Sequence, residues 1–146
     1  MDPRASRLRN VADCSSLAEN VLKGGLPRLA EDCRKRTIQI RAELYGVDGD
    51  LERECVEAIY AYEEILSARA ERRQPASRTW PMIKKWSVIE AVDRVVTNRK
   101  VSTGFAALES MGLKDYAFEA VILRHPGRFS SEAVQVSHLR MDLKED

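Results

Sequence analysis

DLERECVEAIYAYEEIL, residues 50–66, decides how the chain is read. Leu51, Cys55, Ala58, Ile59, Tyr62, Ile65 and Leu66 recur at intervals of three and four, the spacing that lines up one face of an α-helix. Glu52 and Glu54 complement the positive end of the helix dipole, and Asp48 or Asp50 in the preceding GVDG turn is the expected N-cap. Adjacent Glu63 and Glu64 point about 100° apart on a helix, so they cannot share a proton or a metal, and they read as a solvated face.

Upstream, Leu26, Ala30, Cys33, Thr37, Ile40 and Leu44 form a second stripe. It opens at Pro27, which loses nothing in a first helical turn, and it stops at Gly46. Before it, Leu8, Val11, Ala12, Ala18, Val21 and Leu22 share one side of a helix running from Arg4 to Leu22, ended by Gly24-Gly25. Three long helices with short connections predict an antiparallel three-helix bundle from residue 4 to about 70.

Downstream the texture changes at QPAS. Thr79 is placed to cap a short turn through Pro81 to Lys85, and Ser87 with Glu90 fits the capping box ahead of Val88, Ile89, Val92, Val95 and Val96. A break at Trp86-Ser87 is therefore expected. Shorter helices follow over Phe105–Met111, Lys114–Arg124 and, capped by Ser130, from Ser131 to about Leu143. No segment alternates with period two over more than four residues, so no sheet is expected. The predicted class is all-α: a three-helix antiparallel bundle of long helices, residues 1–73, followed by a compact subdomain of short helices, residues 74–146, packed against it or continuous with it.

Composition narrows the function classes. At 146 residues the chain buries roughly two-thirds of its extended surface and needs no metal or disulfide to hold a core. Charged residues make up 32%, and no apolar run approaches the ~18 residues of a membrane span. The N-terminal MDPRASRLRN has basic residues with no apolar region behind them, so a soluble cytoplasmic protein without a secretory leader is expected. Cys14, Cys33 and Cys55, an odd number in no CxxC spacing, read as small hydrophobes rather than as a disulfide framework or zinc site.

Net charge is only +1, yet it is segregated: +3 over residues 1–46, −5 over 47–72, +5 over 73–100 and −2 over 101–146. The centre of that pattern is ERRQPASRTWPMIKKW, residues 71–86. Arg69, Arg72, Arg73, Arg78, Lys84 and Lys85 alternate there with Trp80 and Trp86, and Arg94, Arg99 and Lys100 follow. Cations beside flat aromatics suit phosphates and unstacked bases. The same arginines suit the carboxylates of an acidic protein surface. The competing structural reading has the cations finishing an acidic helix, with the tryptophans anchoring a core.

Other motifs are weak. GFAALESMGLKDYAFEAVILR, residues 104–124, has the outline of a helix-turn-helix, but Asp115 and Glu119 offset Lys114 and Arg124 on the would-be reading helix. The VDGDLERE loop lacks the glycine and the final glutamate of a calcium loop. No HExxH, GxSxG, phosphate loop or GxGxxG is present, and His125, between Arg124 and Pro126, reads as a helix cap. No catalytic, cofactor or metal-binding residue is assigned. The expectation is a non-enzymatic protein-interaction module, an adaptor, inhibitor or small regulator, using Arg69, Arg72, Arg73, Arg78, Trp80, Lys84, Lys85, Arg94, Arg99 and Lys100 as its contact tract. Its partner would be an acidic protein surface, with no membrane involved and a homodimer permitted. The alternatives are a nucleic-acid-binding module using the same tract and an enzyme of unrecognised type.

Overall fold

The computed structural model of the chain describes residues 1–98, 100 and 102–145, and side chains as far as residue 142. Among the described residues every regular element is helical, as the periodicities require. They are α1 (Pro3–Ser6), α2 (Val11–Lys23), α3 (Pro27–Tyr45), α4 (Asp50–Ala70), α5 (Trp80–Lys85), α6 (Val88–Thr97), α7 (Phe105–Ser110), α8 (Phe118–Arg124) and α9 (Ser131–Glu145), with 3-10 turns at Lys114–Tyr116 and Pro126–Arg128. No described helix is long and apolar enough to cross a membrane. The chain divides into two compact units, Met1–Val47 and Asp48–Asp146, so α4 groups with the short helices that follow it.

In the first unit α2 packs along α3, with α1 against α3. The single helix expected from Arg4 to Leu22 is broken. Asn10 takes an extended conformation and its side chain accepts from the Asp13 backbone N–H at 2.8 Å, capping α2 and stopping continuation from α1. Asp2 likewise caps α1 through the Arg4 N–H, while its own backbone N–H donates to Asp32 on α3. One core cluster consists of Ala5, Val21, Leu29, Ala30 and Cys33, with Leu8, Leu17 and Ala18 packed against it, and Cys14, Ile38, Ile40 and Ala42 are buried as well.

In the second unit α4 is the central element, packing against α6, α7 and α8, while α9 lies on α6 and α8. Its stripe Leu51, Cys55, Ala58, Ile59 and Ile65 is buried, as are Val92, Val96, Leu108, Leu113, Phe118, Val121, Ile122 and Ala133. Neither Asp48 nor Asp50 is the N-cap of α4. Gly49 holds that position at φ 98° with no side-chain cap, and Asp50 and Glu52 fall in the first turn, where they still complement the dipole. Thr79 precedes α5 without a capping bond: its backbone is helical at φ −85° and ψ −42°, where a side-chain cap needs an extended one. The Trp86-Ser87 break stands where expected, with Ser87 Oγ accepting from the Glu90 N–H at 3.1 Å. Gly104 is favoured on two counts: φ is 71°, a strained conformation for other residues, and an added Cβ would meet Ile65 Cδ1 at 2.5 Å, so that side chain would have to shift.

Candidate contact surface

The basic tract is organised by a carboxylate expected to be in water. Glu63 on α4 is only 1% exposed. It sits four residues after Ile59 and eight after Cys55, within the apolar stripe, and a buried charge there is tolerable only if its oxygens are satisfied. They are. Arg73 Nη2 donates to Oε1 at 2.5 Å, and the Ala76 backbone N–H and the Trp80 indole Nε1–H donate to Oε2 at 2.7 and 2.6 Å. The Gln74 N–H adds a bond to Ser67 Oγ at 2.9 Å. The segment from Glu71 to Thr79 carries no helix of its own, yet it is fastened to α4 at several points. Its breaker composition concealed this order.

The expected contact residues therefore fall into two groups. Arg73 and Trp80 are committed to Glu63, and the Trp80 ring lies against Tyr60 with centroids 4.8 Å apart. Arg69, in the last turn of α4, and Arg72, Arg78, Lys84 and Lys85 are exposed. No ion pair joins these five cations to a carboxylate among the described residues. Arg94 pairs with Glu90 at 3.1 Å and lies 4.0 Å over the Trp86 ring, which Lys85 also approaches at 4.7 Å. Lys100 is exposed, and Arg99 lies outside the described residues.

Two of the cations meet at a cavity of about 520 Å³ whose walls come from α4, the 74–79 segment, α5 and α6. Arg78 and Arg94 line it, Gln74, Thr79 and Asn98 add neutral polar groups, and Tyr62, Leu66, Met82 and Val95 give it an apolar lining. No protein-family model, curated protein or solved structure matches this chain. The chemistry must be read from the site alone. Among the described residues that line the cavity there is no Asp, Glu, His, Cys or Lys; what they offer is hydrogen-bond donors and apolar area.

The remaining titratable clusters tie elements of the second unit together. Glu54 on α4 accepts from Arg124 Nε at 2.7 Å and meets His125 Nε2 at 2.6 Å. Burial pushes its carboxyl up, but the hydrogen bonds from His125 and Arg124 together outweigh that and hold it below the ordinary range. Glu119, fully buried on α8, takes Thr103 Oγ1 at 2.5 Å and Arg140 Nη1 at 2.9 Å on one oxygen. Asp93 on α6 accepts from both the backbone N–H and the hydroxyl of Ser130, which caps α9. The helix-turn-helix outline is an ordinary packed corner. Phe118 to Ile122 of α8 are all buried, so that helix has little free face to lay in a groove. No group of three or more metal-ligating side chains occurs among the described residues.

Proposed function

We propose that the chain is a soluble, cytoplasmic protein-interaction module, a non-enzymatic adaptor, inhibitor or regulator that grips an acidic segment of a partner through the tract around Arg69, Arg72, Arg78, Lys84 and Lys85. The observation that carries the reading is the contrast within the tract: these five cations are exposed and joined to no carboxylate among the described residues, whereas the tryptophans are engaged. Nucleic-acid binding with base stacking needs a free aromatic face. The Trp80 indole N–H and ring are spent on Glu63 and Tyr60, and Arg94 and Lys85 approach the Trp86 ring. Carboxylates need only the cations, which bind them by charge-assisted hydrogen bonds.

The second reading, a nucleic-acid module, is favoured by the density of those same cations, each of which would contribute ~0.9 to the slope of log K against log salt. Fluorescence anisotropy separates the two. A labelled Asp/Glu-rich peptide and labelled single- and double-stranded DNA and RNA are titrated at about 50 and 200 mM salt. The variant carrying Arg72→Glu, Arg78→Glu, Lys84→Glu and Lys85→Glu is run alongside. The expected result is peptide binding that disappears in the variant and outlasts oligonucleotide binding at the higher salt. Oligonucleotides bound more tightly than the peptide would reverse the assignment.

A further inference from the structure

The cavity beside Arg78 specifies more than an acidic partner. Its volume of about 520 Å³ lies inside the roughly 300–1,000 Å³ range of ligand sites, large enough for one bulky side chain with the backbone on either side of it. Tyr62, Leu66, Met82 and Val95 are each only half-buried, so apolar surface is held open here while the neighbouring positions Ile59, Ile65, Val92 and Val96 are buried. The wall formed by residues 74–79 is preset by the Glu63 bonds, so filling the cavity requires little ordering of the chain. Arg94 is held in place by Glu90 and Trp86, whereas Arg78 has no partner among the described residues and is exposed at the mouth.

We propose that this cavity is an anchor site for one large apolar side chain, tryptophan, phenylalanine or leucine, in an acidic segment of the partner protein, with a flanking carboxylate of that segment paired to Arg78. The inference rests on the protein-interaction reading above. Apolar walls select the anchor, and the desolvated centre of an interface is where such side chains contribute most. The charge at the mouth selects its surroundings. A cationic anchor is disfavoured, since no carboxylate lines the cavity.

Three synthetic peptides test it by calorimetry and by methyl and amide NMR shifts of the whole chain: an Asp/Glu-rich peptide with a central tryptophan, the same peptide with alanine there, and a Gly/Ser peptide with the tryptophan. The tryptophan-containing acidic peptide is expected to bind at least about tenfold more tightly than its alanine counterpart, from the burial of one aromatic side chain. It should move the Leu66, Met82 and Val95 methyl signals. Arg78→Glu should reduce its advantage over the Gly/Ser peptide, and Val95→Trp, which fills the cavity, should abolish its advantage over the alanine peptide. Should Val95→Trp fail to fold, Arg78→Glu and the peptide series still decide. Equal affinity for the two acidic peptides would remove the anchor site and leave the acidic-partner reading standing. Binding of neither acidic peptide would remove both. Equal binding of the Gly/Ser peptide would remove the Arg78 pairing.

Discussion

Glu63 carries the most consequence of any single residue. One buried carboxylate takes a guanidinium, a backbone amide and an indole N–H, so its removal leaves the buried Ala76 N–H without an acceptor, while the exposed Arg73 guanidinium can turn to water. Glu63→Ala is expected to cost about 1–3 kcal/mol, the range for leaving a buried donor unsatisfied, because the exposed Arg73 is not stranded as a buried charge, and Glu63→Gln less, since one acceptor survives. Urea titration followed by tryptophan fluorescence measures both, and an unchanged midpoint in Glu63→Ala would contradict the hub. Glu54 gives a pH signature. Its folded carboxyl titrates below its ordinary 4.5, so the stability it supplies is present in full above that value and is lost as pH falls through the folded value. Glu54→Gln should flatten the acid limb of a stability-versus-pH curve below about pH 4.5 and weaken the anchoring of Arg124 and His125 to α4, since only one acceptor oxygen survives. Sequence alone placed Glu63 in solvent because it was weighed against its neighbour Glu64. Its spacing from Ile59 and Cys55, which puts it on the stripe, was the available signal.

At the scale of elements, boundaries set by periodicity and capping chemistry were legible, and those set by tertiary bonds were not. The Ser87 cap, the Gly46 stop and the Ser130 cap were all readable, because each depends on a few neighbouring residues. The break between α1 and α2 was not, since the apolar pattern runs through it and the deciding event is one Asn10 side chain. The end of α4 near residue 70 was readable, but the way it closes was not. Glu71 closes that helix at φ 56°, a left-handed conformation that costs a non-glycine residue about 1–2 kcal/mol. Glu71→Gly should relieve that strain, less the extra chain entropy of glycine, and raise stability by about 0.5–1 kcal/mol in the same urea titration. Destabilisation instead would mean that the Glu71 side chain contributes more than its backbone costs. For α9, Ser130→Ala removes the cap and the hydroxyl bond to Asp93 but keeps the backbone N–H bond, an expected loss of about 1–2 kcal/mol, with faster amide exchange at the start of that helix.

Across the whole molecule, the two units differ in how much apolar surface they can bury, and the three cysteines report on that difference. Cys14 and Cys33 are buried in the first unit, which spans 47 residues, while Cys55 lies in the second, which spans 99 and buries Phe118, Ile59, Leu108 and Ile122. Small cores open at lower free energy than large ones. Burial raises the Cys33 thiol and pushes Cys55 up to about 12, so in the folded chain neither is a ready thiolate at neutral pH. Labelling with a thiol reagent across a urea gradient, read by mass spectrometry of peptides, should therefore modify Cys14 and Cys33 at lower urea than Cys55, with little labelling of any of them in native buffer. All three reacting at one urea concentration would instead mean that the chain opens as a single cooperative body. In that case a partner bound at the tract of the second unit would protect the thiols of the first as well, since a ligand that stabilises a cooperative fold stabilises every part of it.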